Sequence, residues 1–396
     1  MNVFAVISEY NPFHNGHAYM LTQLRKAGAT HIVAIMGGPF LQRGEPALFS
    51  KQLRARCALL NGADLVLELP CIWATASAAN FALGGVSVAA ALGVVDALGF
   101  GSECGTVQPL IQLARTMDSS PYRAHIKAHL KQGKSYARAA HEAARMQGHP
   151  FSGLLSQPNN VLGVEYIRAL HKISSTIQPI TVKREGAQHD SFISSGNTAS
   201  ASLIRQALRK QDLSCLKFLP ENCRPWILGE IEQGHMADIA YMERAVLYRL
   251  RSMSPADFAA LPDVCEGLEH RIYQAVRKET SLTSIIDSIK TKRYTHARLR
   301  RIMLYAFLDI RTEMQKQPVP YLRVLGFNQK GTEILKKAKA AATLPIITKL
   351  TDSFSLLKPQ QRSVLELDLK AADLHALAFE NILACGQDFY LGPVRV

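Results

Sequence analysis

The chain has few of the features that mark secreted or membrane proteins. Its seven cysteines (Cys57, Cys71, Cys104, Cys215, Cys223, Cys265 and Cys385) are odd in number and scattered, with no C-x-x-C pair. A chain of 396 residues can bury a large core without disulfides, so this usage points to a reducing, cytoplasmic compartment. The first ten residues have no basic n-region and no small-residue cleavage site, and they read as a strand rather than a signal peptide. Only one apolar stretch is long, residues 78–95. It is rich in Ala and Gly and contains Asn80 and Ser87, which suits a core helix better than a membrane span. No internal repeat or low-complexity tract is evident, and with 47% apolar and 20% charged residues a soluble globular protein is expected, not disorder.

Acidic residues are also scarce: 32 Asp and Glu stand against 46 Lys and Arg, a formal charge of +14. The deficit is uneven. Residues 1–110 balance six basic positions (25, 26, 43, 51, 54 and 56) against six acidic ones (9, 45, 64, 68, 96 and 103), so all the excess lies downstream. A neutral, nucleotide-sized pocket joined to a basic remainder suggests a polyanionic second partner, although a basic chain is also simply soluble.

What is present is an alternation of strands and helices. Residues 3–8 form an apolar run, followed by a Pro-interrupted turn and by His14-Asn15-Gly16-His17, which opens a helix carrying Leu21 and Leu24. Residues 30–36, 64–70, 96–101 and 179–184 read as further strands. Ser50 is placed to cap an intervening helix and Gly62 to stop it. The pattern predicts an α/β fold, a doubly wound parallel sheet with ligands at the carboxyl ends of its strands, where the His-x-Gly-His turn and Gly101 both fall. Residues 106–147 read as helical and basic, with Arg123, Lys127, Lys131, Lys134, Arg138 and Arg145, and residues 185–198, including His189 and Asp190, as a loop. From about residue 211 the periodicity is mostly helical. The expected division is a nucleotide-binding domain over 1–210 and a mainly helical basic domain over 211–396, with 315–320, containing Pro318 and Pro320, as a linker.

His14 and His17 lie three apart, so on a first helical turn both imidazoles project to one side, where a helix N-terminus attracts anions. Two surface histidines beside a turn are the plain alternative. A zinc site would need a third ligand, and none lies nearby. The preceding strand and Gly16, which lets a ligand approach the backbone, favour phosphate binding.

A second phosphate contact is sought at a Ser-capped helix carrying an Arg. Ile173-Ser174-Ser175-Thr176 is excluded because Pro179 forbids a helix there. Ser200 and Arg205 fit, with an ordinary capped helix as the alternative. The run 290–301, with Lys290, Lys292, Arg293, Arg298, Arg300 and Arg301 and no acid, is read as an RNA-backbone surface rather than a solvated helix face, since such faces generally mix both signs.

Taken together, residues 9–17, Gln42-Arg43-Gly44-Glu45-Pro46-Ala47, residues 59–70, Phe100-Gly101-Ser102-Glu103, Pro158-Asn159-Asn160 and residues 289–294 closely resemble the bacterial tRNA(Met) cytidine acetate ligase family, over roughly residues 3–300. His-x-Gly-His alone indicates only the nucleotidyltransferase superfamily; the extended text is family-specific. The resemblance implies an enzyme that makes acetyl-adenylate from acetate and ATP, with Mg²⁺ accompanying the nucleotide. The acetyl group then passes to N4 of the wobble cytidine of elongator tRNA(Met). It implies an ATP site over Ile7, Ser8, Glu9, Tyr10, Asn11, Pro12, Phe13, His14, Asn15, Gly16, His17, Ala18, Tyr19 and Met20, with Gly101, Asn159 and Arg184 added and no protein-bound metal. His14 and His17 take the catalytic role. Two departures stand out: Ser8 replaces an apolar residue, and Gly38-Pro39 replaces a Gly-Asn pair. A small-molecule adenylyltransferase and a non-catalytic RNA-binding protein on the same fold are the competing readings.

Overall fold

A computed structural model describes residues 1–132, 134, 136–184, 196–265 and 267–396. Most of the expected loop at 185–198, including His189 and Asp190, lies outside the described residues. Five parallel strands build the core of one sheet: β1 (Val3–Ser8), β2 (His31–Gly37), β3 (Leu65–Leu69), β4 (Ala97–Ser102) and β5 (Gln178–Lys183). Their order is β5-β4-β1-β2-β3, so the chain steps one way from β1 to β3 and then returns to the other side of β1 for β4. That reversal places the switch point between β1 and β4.

The strands read as near-continuous apolar runs because helices cover both faces of the sheet. Val3, Ala5, Val33, Ile35, Leu65 and Leu67 enter one buried cluster, while Phe4, Val6, Ile32, Ala34, Met36 and Val66 enter the other. The helix Lys51–Leu60 begins where Ser50 accepts the Leu53 N–H at 3.2 Å, and ends before Gly62, whose φ of +111° a side chain would resist. The apolar stretch after residue 77 is a 14-residue helix, Ala78–Ala91, packed in the core, and among the described residues no helix is long and apolar enough to cross a membrane. Residues 106–147 resolve into three helices, Val107–Met117, Ser120–Lys131 and Tyr136–Met146.

The sheet does not stop at residue 210. β6 (Leu322–Phe327) pairs antiparallel with β3, and β7 (Ile346–Ile347) and β8 (Val394–Arg395) pair with β6. Residues 211–396 are mainly helical and include the helices Gln329–Ala341 and Pro359–His375, but β6, β7 and β8 within them join the sheet of the first part. Nor is 315–320 a linker. Val319 is buried, the Pro320 carbonyl accepts from the Gln361 amide, and Tyr321 donates to buried Asp368 at 2.5 Å. The two prolines stand just ahead of a strand, where no ladder N–H is lost.

A buried ionic group holds this return in place. Lys51 Nζ bonds Glu68 on β3 at 2.9 Å and Asp388 at 2.7 Å, and Arg323 on β6 pairs with the same two carboxylates at 3.1 Å each. Two cations and two acids compensate each other where neither kind could be buried alone.

Candidate active site

Two imidazoles crown the switch point. Beyond β1 the chain turns through Tyr10, in the left-handed region at φ 48°, and a cis Asn11–Pro12 bond, and enters the helix Asn15–Lys26. His14 is the N-cap: its Nδ1 accepts the Gly16 N–H at 3.0 Å, and His17 Nδ1 accepts the His14 N–H at 3.2 Å. The histidines thus close a reciprocal capping box, a role commonly filled by Ser or Thr with Glu. Since both Nδ1 atoms accept, each neutral ring carries its proton on Nε2. The rings stack at 3.8 Å.

Their charge state follows from their surroundings. Burial first, then the Arg184 and Arg205 charges, pulls His14 down to about 3; burial, then His14 and Arg184, holds His17 well below the ordinary histidine value. The site at neutral pH is two Nε2–H donors flanked by two guanidinium groups, an arrangement suited to phosphoryl oxygens.

The other expected residues divide between support and rim. Tyr10 and Phe13 are buried beneath the imidazoles, with ring centroids 4.9 and 5.5 Å from His17. Asn11 accepts the Leu48 N–H at 2.7 Å, and Asn15 donates to the carbonyls of Asn197 and Lys217. Glu9 accepts the Gln42 N–H at 2.9 Å, and burial raises its pKa. Ile7 faces the opposite side of the sheet from the histidines, against Gly85, and Ser8 ends β1. Ala18 and Met20 pack on the apolar cluster under the first helix, beside Tyr19, and Pro12 is buried. The space above Gly16 is filled by His14 itself: an added Cβ would stand 2.9 Å from His14 Cε1. Gly16 thus serves ring placement before it serves ligand approach.

Arg184 directly follows β5 and lies over Gly101, where an added Cβ would meet its Cγ at 3.3 Å. Asn159 donates to Glu103 at 2.6 Å, and Glu103 also accepts the N–H groups of Asn159 and Asn160. A carboxylate therefore occupies the N-terminus of the helix Pro158–Lys172 and holds Asn159, and the Glu103 charge acts on Arg184. Ser200 caps its helix through the Leu203 N–H, and Arg205 turns inward, donating to the Asn11 carbonyl at 2.8 Å. Arg205 ties its helix to the turn while its charge reaches His14.

A family model described as "HIGH Nucleotidyl Transferase" matches residues 1–388. A tRNA(Met) cytidine acetate ligase of Thermoanaerobacter sp. (strain X514) is 37% identical over 98% of both chains. One from Clostridium tetani is 35% identical over the full length of both. The chain belongs to the tRNA(Met) cytidine acetate ligase family. Two crystal structures of Thermotoga maritima TmcAL, 33% identical and covering all of both chains, superpose with TM-scores of 0.95 for the apo form and 0.93 for the form bound with alpha-thio ATP.

Against this family frame, the basic run is less free than its sequence suggests. Arg301 pairs with Asp263 at 2.9 Å, and Arg298 donates to the Asp263 carbonyl and lies over the Tyr294 ring. Arg300 donates to the Arg43 carbonyl at 3.2 Å and approaches Glu45 at 3.6 Å. Arg293 is half-buried near the Tyr294 ring, while Lys290 and Lys292 are exposed. The run opens the helix His296–Leu308, most of which is core, and it docks on the loop at 42–47. Gly44, at φ +74°, is pressed so closely that an added Cβ would stand 2.5 Å from Arg300 C.

One residue central to the site escaped the sequence reading. Arg54 is buried and donates to four carbonyls, those of Glu9 (2.8 Å), Gly37 (2.9 Å), Gly38 (2.6 Å) and Phe49 (3.1 Å), clamping the ends of β1 and β2. The available signal was an Arg one turn into a capped helix without a neighbouring acid.

Proposed function

We propose that the chain activates acetate with ATP as acetyl-adenylate and transfers the acetyl group to N4 of the wobble cytidine of elongator tRNA(Met). The observation that carries this reading is the pair of neutral, Nε2–H imidazoles flanked by Arg184 and Arg205 at the switch point of the sheet. The acetate carboxylate attacks the α-phosphorus in line; the new P–O bond forms as the bond to the β-phosphate oxygen breaks, and pyrophosphate leaves. His14 and His17 donate to phosphoryl oxygens as charge develops there, and Arg184 adds a cation. Arg205 keeps the turn in register. The cytidine amine then attacks the acetyl carbonyl, forming the amide and releasing AMP, and the amine proton passes to solvent. The wobble base sits in a single-stranded loop and enters without melting a duplex.

Mg²⁺ comes as the counterion of the nucleotide phosphates. The nearest acids have other partners, Glu9 with Gln42 and Glu103 with the helix at 158, which fits an ion held by phosphate rather than by carboxylates. RNA contact falls to the helical part within residues 211–316, with Lys290 and Lys292 as its free cations in the run. The test is incubation with ATP, labelled acetate and unmodified tRNA(Met), followed by mass spectrometry of the nucleosides. N4-acetylcytidine at the wobble position is expected; pyrophosphate release indifferent to acetate, with no acetylated cytidine, contradicts the reading.

A further inference from the structure

The helix Ile239–Arg251 presents two sharply different faces. Met242, Val246 and Leu250 are buried. Spaced three, four and three apart on the other side, Tyr241, Arg244, Tyr248 and Arg251 are all exposed, Tyr248 at 76% and Tyr241 at 52%. Residues at this spacing share one face, and from 241 to 251 the stripe runs about 15 Å. Tyrosines this open have no packing role. The acid and the second arginine near the middle of the helix point elsewhere: Glu243 accepts the Leu282 N–H at 2.8 Å, and Arg249 pairs with Asp309. Near the stripe itself, Tyr241 is close to Glu380, and Arg251 donates to the Glu279 carbonyl at 3.4 Å.

The start of this helix is joined to the active site. Ala237 donates to the Leu48 carbonyl at 2.8 Å, and Leu48 in turn donates to Asn11 of the histidine turn. Asp238, the helix N-cap, pairs with Arg209 at 2.9 Å. Arg209 lines a cleft of about 300 Å³ with Arg43, Glu45, Arg205 and Lys210, four cations to one acid. A cleft with a surplus of cations therefore lies between the Arg205 helix and the N-cap Asp238 of the striped helix, with Asp238 and Glu380 beside Tyr241 at the near end of the stripe.

We propose that the exposed face of the helix Ile239–Arg251 is a second RNA-binding surface, on which unpaired bases of the substrate tRNA stack on Tyr241 and Tyr248 while Arg244 and Arg251 contact flanking phosphates. The charge is complementary to RNA, and aromatics interleaved with cations are what single-stranded segments require. The proposal rests on the reading of tRNA as substrate and adds a surface distinct from residues 290–301.

The test uses the full chain and unmodified tRNA(Met), with Kd measured at two or more salt concentrations and acetate-dependent ATP–pyrophosphate exchange measured without tRNA. Tyr248→Ala is expected to raise the tRNA Kd about tenfold with the salt slope unchanged, as for loss of one stacked base, and Tyr248→Phe to restore it. Arg244→Ala is expected to weaken binding and to reduce the salt slope by about one. Exchange remains at the parent level in all three. If the parent chain binds and acetylates tRNA and the Tyr248→Ala, Arg244→Ala double variant does so within about twofold, the surface is refuted while the ligase reading stands. The surface is also refuted if the double variant changes only the oligomeric state. If the parent neither binds nor acetylates tRNA, the ligase reading itself fails.

Discussion

The histidine turn and the basic run at 290–301 look equally functional in the sequence, yet the fold uses them in opposite ways. In the turn, His14 and His17 are held by their Nδ1 atoms, and among the described residues neither Nε2–H has a hydrogen-bond partner, which suits the phosphate contact proposed for them. In the run, three of the six cations that look like RNA contacts hold the protein together, with Arg298 and Arg301 on Asp263 and Arg300 on the 42–47 loop. A basic run reports charge but not whether that charge has a partner. Guanidinium groups, with five donors, are readily taken up as joints between segments.

The sharpest way to separate the two regions is to remove the imidazoles. His14→Ala with His17→Ala is expected to lower tRNA acetylation by a hundredfold or more while tRNA affinity stays at the parent level; acetylation at the parent rate would leave the site assignment untenable. Next in size is the Arg54 clamp beneath the histidine turn. Arg54→Ala leaves four buried carbonyls without their donor and is expected to cost about 3–5 kcal/mol of stability, read as a lowered denaturation midpoint. A midpoint shift equivalent to under about 1 kcal/mol would show that the carbonyls find other partners.

Smaller effects test the run itself. Lys290→Ala with Lys292→Ala is expected to weaken tRNA binding several-fold and to cut its salt slope by about two without loss of stability. Arg301→Ala is expected to show mainly as lost stability, because it leaves Asp263 unpaired. The reverse pattern, with Arg301 carrying the salt dependence, would mean that the Asp263 pair opens to admit RNA.

Much of the sheet was legible because strands buried on both faces are nearly all apolar, and residues 30–36, 64–70, 96–101 and 179–184 each gave a strand within a residue or two. β6 was missed for a physical reason. Its ladder partner β3 is more than 250 positions away, and Arg323 within it reads as surface until the acids it neutralises, Glu68 and Asp388, are seen beside it. The prolines at 318 and 320 then suggested a linker. In the site, the His-x-Gly-His spacing carried the geometry of the rings, but their tautomer and charge depend on burial and on Arg184 and Arg205, which arrive from distant elements. Arg54 was hidden because its one local signal, the lack of a neighbouring acid, is shared by Arg56 on the same helix, which lies instead over the Trp226 ring.

The pH dependence follows from the same burial. His14 and His17 both have folded pKa values depressed below their unfolded values, and for His14 the unfolded chain binds more protons between about 3 and 6.5. Their contribution to stability is complete above about pH 6.5 and is lost as pH falls through the acid range, for His14 toward about 3. The double alanine variant is expected to lose less stability than the parent between pH 7 and pH 4; equal losses would place the acid sensitivity elsewhere.

Long-range ¹H–¹⁵N NMR of the histidine rings, with and without ATP, observes directly whether His14 and His17 are neutral, share one tautomer and meet the nucleotide. Of the thirteen histidines, the two signals removed by the alanine substitutions should remain neutral Nε2–H tautomers from pH 8 to pH 5 in the free protein and should be shifted by ATP. Titration of both near pH 6.5, mixed tautomers, or indifference to ATP would contradict the neutral-imidazole site.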